Sequence, residues 1–120
     1  VELNEAFAAQ VLACLKELAA GNATARMAAL GTRLCRGLEA AARVHRLEVT
    51  TTGPPALPFM SFRDDPGQSL NRPFCAAAAE RGVYFHPHHN WFLSAAHTEA
   101  DIDRTLAVAD EAFAIVARSR

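Results

Sequence analysis

Apolar side chains recur at three- and four-residue steps at the start of the chain: Leu3, Phe7, Val11, Leu15 and Leu18. That spacing puts them on one face of a helix, and Gly21 supplies a stop. A second stripe, Met27, Leu30, Leu34, Leu38 and Ala41, marks a second helix with arginines on its other faces. Asn22 or Thr24 stands where its cap is needed. Gly31 and Gly37 fall inside this second helix. Each weakens it by ~1 kcal/mol unless a close neighbour leaves no room for a side chain.

The period then changes. Residues 47–52, LEVTTT, are β-branched and alternating, which predicts a strand. Gly53-Pro54-Pro55 ends it. Residues 57–62, LPFMSF, predict a second strand, with Pro58 at its start or on an edge because proline cannot donate to a ladder. The cluster RDDPG at 63–67 is a turn. Residues 69–81 predict a short helix that tolerates Pro73 only in its first turn and closes at Gly82. Val83-Tyr84-Phe85 and Trp91-Phe92-Leu93 read as two further strands.

Thr98, with Asp101 three residues on, approximates a capping box, and Glu99, Asp101 and Asp103 suit a helix N-terminus. The inner face of this last helix is Ile102, Leu106, Ala109, Phe113 and Val116. The predicted order is α-α-β-β-α-β-β-α, with hairpin-like and crossover links mixed. It makes an α+β fold: a small, mainly antiparallel sheet with helices packed on one face. A length of 120 residues fits one domain, residues 1–120.

Composition narrows the function classes. The net charge of −1 points to no nucleic-acid partner and no anionic membrane surface. No apolar run approaches the ~20 residues of a membrane span, and no secretory signal is visible. The 3 cysteines, Cys14, Cys35 and Cys75, are odd in number and form no C-x-x-C pair. That argues against a disulfide framework or a zinc–thiolate site and for buried, reduced thiols in a cytoplasmic protein. Val1 opens inside an amphipathic pattern rather than at a methionine, which suggests a fragment, a processed product or an incomplete chain.

Candidate chemistry concentrates in residues 82–103, GVYFHPHHNWFLSAAHTEADID, which hold His86, His88, His89, His97 and Trp91. A metal reading has His86 and His88 pointing one way from an extended segment, with His45 or His97 completing three ligands. No cysteine or acid is spaced to help, so the histidines read first as a turn with local hydrogen bonds. His97, just before a helix cap, reads as a structural hydrogen-bond partner, and His45 as a ring at a helix C-terminus. Asp64-Asp65 reads as a solvated turn rather than an acid–base pair. Ser94 with His97 three residues away is not a hydrolase site without oxyanion geometry.

Three phrases carry a family resemblance: Gly53-Pro54 after a Thr-rich strand, Arg81-Gly82-Val83-Tyr84, and SAAHTEADID at 94–103. With the element order, they make the chain resemble the C-terminal small domain of class III pyridoxal-phosphate (PLP) aminotransferases, in the glutamate-1-semialdehyde aminomutase-like branch. The resemblance runs from Val1 to about Ala117. It implies amino-group transfer in an intact parent whose large domain holds PLP, and a chain inactive alone. It implies two partners: that large PLP-binding domain and a second copy in a homodimer.

The family's Schiff-base lysine, pyridinium aspartate and phosphate turn have no counterpart here. The chain's lysine, Lys16, lies on an amphipathic helix beside Glu17, without the flanks of the family's lysine motif. Gly53-Pro54-Pro55 lacks the free N–H groups of a phosphate cradle. No catalytic, cofactor-binding or metal residue is therefore assigned. In the family, the loop between the third and fourth strands faces the substrate end of the PLP site, which makes His88, His89 and Asn90 substrate-pocket candidates. That loop is shorter than the aminomutase one and lacks its glutamate, so glutamate-1-semialdehyde itself is in doubt as the parent's substrate. No arginine occurs in 82–103 to hold a substrate carboxylate. The alternative reading is a stand-alone protein-interaction module that retains the small-domain fold.

Overall fold

The computed structural model describes residues 4–120, so Leu3, the head of the first stripe, lies outside the described residues. Helix α1 spans Glu5–Ala20; the Asn4 side chain accepts the Phe7 N–H at its start and Gly21 ends it. Helix α2 spans Ala23–Val44. Asn22 takes the cap position, but its side chain caps nothing; it turns the chain with a left-handed φ of 52°. Strands β1 (Val49–Thr52) and β2 (Phe59–Phe62) pair antiparallel, with Val49 opposite Phe62 and Thr52 opposite Phe59. Helix α3 (Asn71–Glu80) and helix α4 (Glu99–Arg118) complete the fold.

The class is α+β, as the periodicities imply, and the helices fall where the stripes put them. Pro73 sits in the first turn of α3, where no intrahelical N–H is needed from it. The Thr98–Asp101 capping box forms in full. Asp65 closes the turn before α3, where its carboxylate accepts both Ser69 N–H and Leu70 N–H.

The sheet is smaller than expected. It has 2 strands, and the predicted third and fourth strands are extended segments outside it. Trp91 N–H donates to Pro58 O at 2.8 Å, and Leu93 N–H to Ala56 O at 3.0 Å. Pro58 has no N–H to return to Trp91, and the two segments form no ladder. Residues 83–85 alternate because Phe85 turns into the core while Tyr84 turns out, not because a neighbouring strand imposes the pleat.

The core lies between the inner face of the sheet and α2, α3 and α4. Met60 and Phe62 of β2 meet Leu34 and Leu38 of α2, Phe74 of α3 and Phe113 of α4. Phe74 stacks on Phe113 at 4.6 Å between centroids, and Phe62 meets both edge-on. The two glycines of α2 have the close neighbours that excuse them. A Cβ on Gly31 would stand 1.7 Å from the Pro55 carbonyl oxygen, and one on Gly37 2.5 Å from Leu106 methyls. Gly31 thus lets the Gly-Pro-Pro turn lie directly on α2.

Helix α1 is the exception. None of its residues is buried. The molecule measures 57 × 30 × 24 Å with a radius of gyration of 17.2 Å. A compact chain of this length would have a radius of about 14 Å. The excess reflects α1 standing out from the packed body. For the same reason Cys14 is exposed rather than buried; Cys35 is half-buried and Cys75 buried, and all are free thiols.

Candidate functional site

The connection from α3 to α4 carries the histidines. Gly82, at φ 89°, turns the chain out of α3, and Val83 N–H returns to Ala78 O. Phe85 and Trp91 then anchor the two ends of the loop in the core, 4.4 Å apart by ring centroids. The Trp91 indole N–H donates to His86 O at 2.9 Å, which closes the loop on itself.

A residue that the sequence pattern did not single out holds the loop to the sheet. Asn71, 1% exposed at the start of α3, donates from Nδ2 to Pro87 O at 2.9 Å and, more weakly, to Met60 O at 3.4 Å. Its Oδ1 has no partner among the described residues. The signal was present as an amide at a position whose helical neighbours Phe74, Cys75 and Ala78 face inward. Buried amides are kept for the hydrogen bonds they make.

Within the loop, His86 and His89 lie face to face, 3.5 Å between ring centroids and 16° between planes. Parallel rings send their nitrogens into separate planes rather than toward one point. His88 stands edge-on to His86 at 6.1 Å. His45 is far from them, bound through Nε2 to Asp110 Oδ1 at 2.8 Å at the end of α2. His97 Nδ1 accepts the Ser94 backbone N–H at 2.9 Å. Among the described residues no group of three or more His, Cys, Asp or Glu is placed to hold a metal ion. The proposed metal set is thus split: His45 and His97 are each engaged elsewhere.

The ring of His86 also accepts the His88 backbone N–H through Nδ1 at 3.1 Å. Partial burial, followed by the charges of His89 and His88, holds its pKa below the ordinary histidine value. The site candidates themselves face outward. His88 and His89 are exposed and Asn90 is half-buried. His89 Nδ1 meets Asn90 O at 2.7 Å, so one ring nitrogen of His89 is committed to holding the turn. The loop therefore presents the His88 ring and the free edge of His89 from a rigid aromatic base.

Beside it, a groove of about 310 Å³ runs between the 82–85 and 91–93 segments and the start of α4. It includes Tyr84, Phe92, His97 and Arg104. Tyr84 and Phe92 are 77% and 67% exposed, a large apolar presence for a surface. Ser94 and His97 do not form a nucleophile pair. His97 takes the Ser94 main-chain N–H, while Ser94 Oγ accepts from Ala96 N–H.

The donor set does not fit PLP in this chain alone. Lys16 is exposed on α1, the helix that buries nothing. The N-termini of α1 and α4 carry side-chain caps, Asn4 and the Thr98–Asp101 pair, and α3 has none.

No family model matches the chain. It is 47% identical over 90 residues to the aminopentol aminotransferase of Sphingopyxis macrogoltabida, a match that spans 75% of this chain and 21% of that protein. It is 34% identical over 107 residues to the glutamate-1-semialdehyde 2,1-aminomutase of Akkermansia muciniphila, spanning 79% of this chain and 25% of that enzyme. Its fold superposes on the FumI protein of Sphingopyxis sp. MTA144, solved in its PLP internal aldimine form. That match has a TM-score of 0.84 and 41% identity, and covers 88% of this chain and 25% of the other. The chain thus spans between a fifth and a quarter of the relatives' length. Along most of its residues the chain is thus similar to a part of PLP-dependent aminotransferases and aminomutases.

Proposed function

We propose that this chain serves as the small domain of a class III PLP-dependent enzyme that transfers an amino group. The remainder of that enzyme carries the lysine, the PLP site and the chemistry, and the chain alone is inactive. Its own contribution is one wall of the substrate pocket, formed by His88, His89 and Asn90 on their Phe85–Trp91 base. The observation that carries the reading is the 47% identity to an aminopentol aminotransferase. PLP, when bound in the remainder, supplies the electron sink for moving the amino group. The loop's task is to orient the substrate and exclude water, which its aromatic base suits.

The missing loop glutamate and the lack of arginine in 82–103 argue for a substrate other than glutamate-1-semialdehyde. The amine of an aminopentol, named by the relative of higher identity, suits a pocket wall without a carboxylate anchor. A homodimeric enzyme in the cytoplasm completes the proposal. No helix among the described residues is long and apolar enough to cross a membrane.

The test is a graft. The chain replaces the matching segment of the Sphingopyxis aminopentol aminotransferase, and the product is expected to keep bound PLP and transaminase activity. His88→Ala and His89→Ala in the graft are expected to raise KM with PLP content unchanged. In parallel, the 120-residue chain mixed with PLP and borohydride is expected to gain no stable label at Lys16. A graft without PLP, or a labelled Lys16, overturns the reading. The second reading, a stand-alone interaction module, draws on the bare face of α1 and predicts that the chain by itself associates.

A further inference from the structure

Asn71 is a poor choice for filling a core, and it sits in one. It opens α3 and, among the described residues, is the one polar side chain buried there. Its Nδ2 lies 2.9 Å from Pro87 O and 3.4 Å from Met60 O. Both neighbours are carbonyl oxygens, so the amide turns its NH2 toward them. The opposite orientation would set Oδ1 against two acceptors. The remaining atom, Oδ1, is then buried with no partner among the described residues. A leucine would fill a similar volume without that cost. Packing therefore does not account for an amide at this place, and its hold on Pro87 does.

That hold bears directly on His88. The peptide unit between Pro87 and His88 is bonded at both ends. Its carbonyl accepts from Asn71 Nδ2, and its N–H donates to His86 Nδ1 at 3.1 Å. A planar peptide held at its oxygen and at its nitrogen does not rotate, and the proline ring sets the φ before it. The direction in which the His88 side chain leaves the backbone is fixed as a result. His89 follows, stacked on His86 with 3.5 Å between centroids.

The source of the bond matters as much as its place. His86, His89 and Trp91 hold residues 86–90 through bonds that begin and end within 86–91. Such bonds keep the shape of the loop but do not say where it stands. Among the described residues, Asn71 supplies the hydrogen bond to 86–90 that comes from outside, and it reaches β2 at Met60 with the same NH2. It refers the loop to the sheet and to α3.

We propose that Asn71 is a positioning residue for the substrate-facing loop. Its amide holds the Pro87 carbonyl, sets where His88 and His89 stand, and so governs substrate affinity without touching substrate. The inference rests on the functional reading above, in which these histidines form a pocket wall, and adds the group that places them.

The experiment uses the graft and the full 120-residue chain side by side. Asn71→Leu keeps the volume and removes the donor. In the graft it is expected to raise KM roughly three- to tenfold, the worth of about one hydrogen bond, with kcat and PLP content unchanged. Added to His88→Ala with His89→Ala, it is expected to raise KM no further, because the rings it places are gone. In the chain alone, the ring-proton shifts of stacked His86 and His89 are expected to move toward those of free histidine. The melting midpoint is expected to hold within roughly 5 °C. A KM that does not rise, or rises by the same factor on top of the two alanines, overturns the inference and leaves the functional reading standing. Where the Asn71→Leu graft cannot hold PLP, the ring protons decide: a lost stack with the midpoint kept supports the inference, and any other result makes Asn71 a part of the core alone and overturns it. A KM indifferent to His88→Ala with His89→Ala overturns the functional reading and the inference together.

Discussion

Helices α1 and α4 are built by the same rules. Each begins at a capping side chain, Asn4 in one and Thr98 in the other, and each carries apolar residues at three- and four-residue steps. Yet α4 buries Ile102, Ala109, Ala112, Phe113 and Val116, while α1 buries none of its residues. The apolar pattern of a helix specifies that a face will be covered. It does not specify by what, and here the cover differs: α4 has the sheet and two helices of its own chain, and α1 has almost nothing. The stability of this chain should therefore lie in the α2–α3–α4–sheet body, with α1 contributing little to it.

The largest effect expected from that contrast is at Phe113. It is fully buried, stacked on Phe74 and edge-on to Phe62. Phe113→Ala is expected to cost ~3–5 kcal/mol, measured by urea unfolding followed by circular dichroism. A loss under ~1 kcal/mol would mean that α4 is no better packed than α1, and the comparison would collapse.

The next effect sharpens what α2 offers to its neighbours. Gly31→Ala drives a methyl into the Pro55 carbonyl, a backbone group that cannot step aside, and is expected to cost ~1–3 kcal/mol. Gly37→Ala meets only the end of Leu106, which can rotate away. There the ~1 kcal/mol gain in helix propensity offsets most of the clash, so the net change is expected near zero. Equal costs at both glycines would show that α4 is held against α2 as rigidly as the Gly-Pro-Pro turn.

The four helices and the inner face of the last, with Phe113, were legible in the sequence because their signals are local: period, caps and glycine stops. Pro73 and the Thr98–Asp101 box even marked where α3 and α4 begin. The two missing strands were not legible, because Phe85 and Trp91 alternate with exposed neighbours for a tertiary reason, the aromatic cluster beneath them. Pro58, which the sequence placed at a strand start or on an edge, lies just before β2 and has no N–H to return to Trp91. The loop's face-to-face histidines and its tie to Asn71 were illegible as well, since both depend on where α3 meets the loop.

A smaller effect concerns the N-terminus of α4. Hydrogen bonds from the Thr98 backbone and hydroxyl hold the Asp101 carboxyl below the ordinary aspartate range. A carboxyl lowered on folding contributes stability that is whole above its unfolded pKa, about 3.9, and is lost as pH falls through the folded value. The first turn of α4 is therefore expected to loosen below about pH 4, and Asp101→Asn to remove that dependence. Amide exchange at Asp101 and Ile102, followed across that range, is the measurement. An unchanged acid response in Asp101→Asn would assign the sensitivity to other carboxylates, such as Asp110 at His45.

The smallest expected effect says most about α1. Leu15→Ala in the isolated chain removes a side chain that is 56% exposed. It also introduces the best helix former, so its cost is expected within ~0.5 kcal/mol. The same substitution at a covered leucine costs ~2–5 kcal/mol. Thiol labelling gives an independent reading of that face. Cys14 should react at once, half-buried Cys35 slowly, and Cys75, whose pKa burial pushes up to about 11, only on unfolding. A Leu15→Ala cost in the covered range, together with a protected Cys14, would mean that α1 finds its cover within this chain or a second copy of it. Indifference at Leu15 with a reactive Cys14 leaves the stripe waiting for a surface that the other helices do not supply.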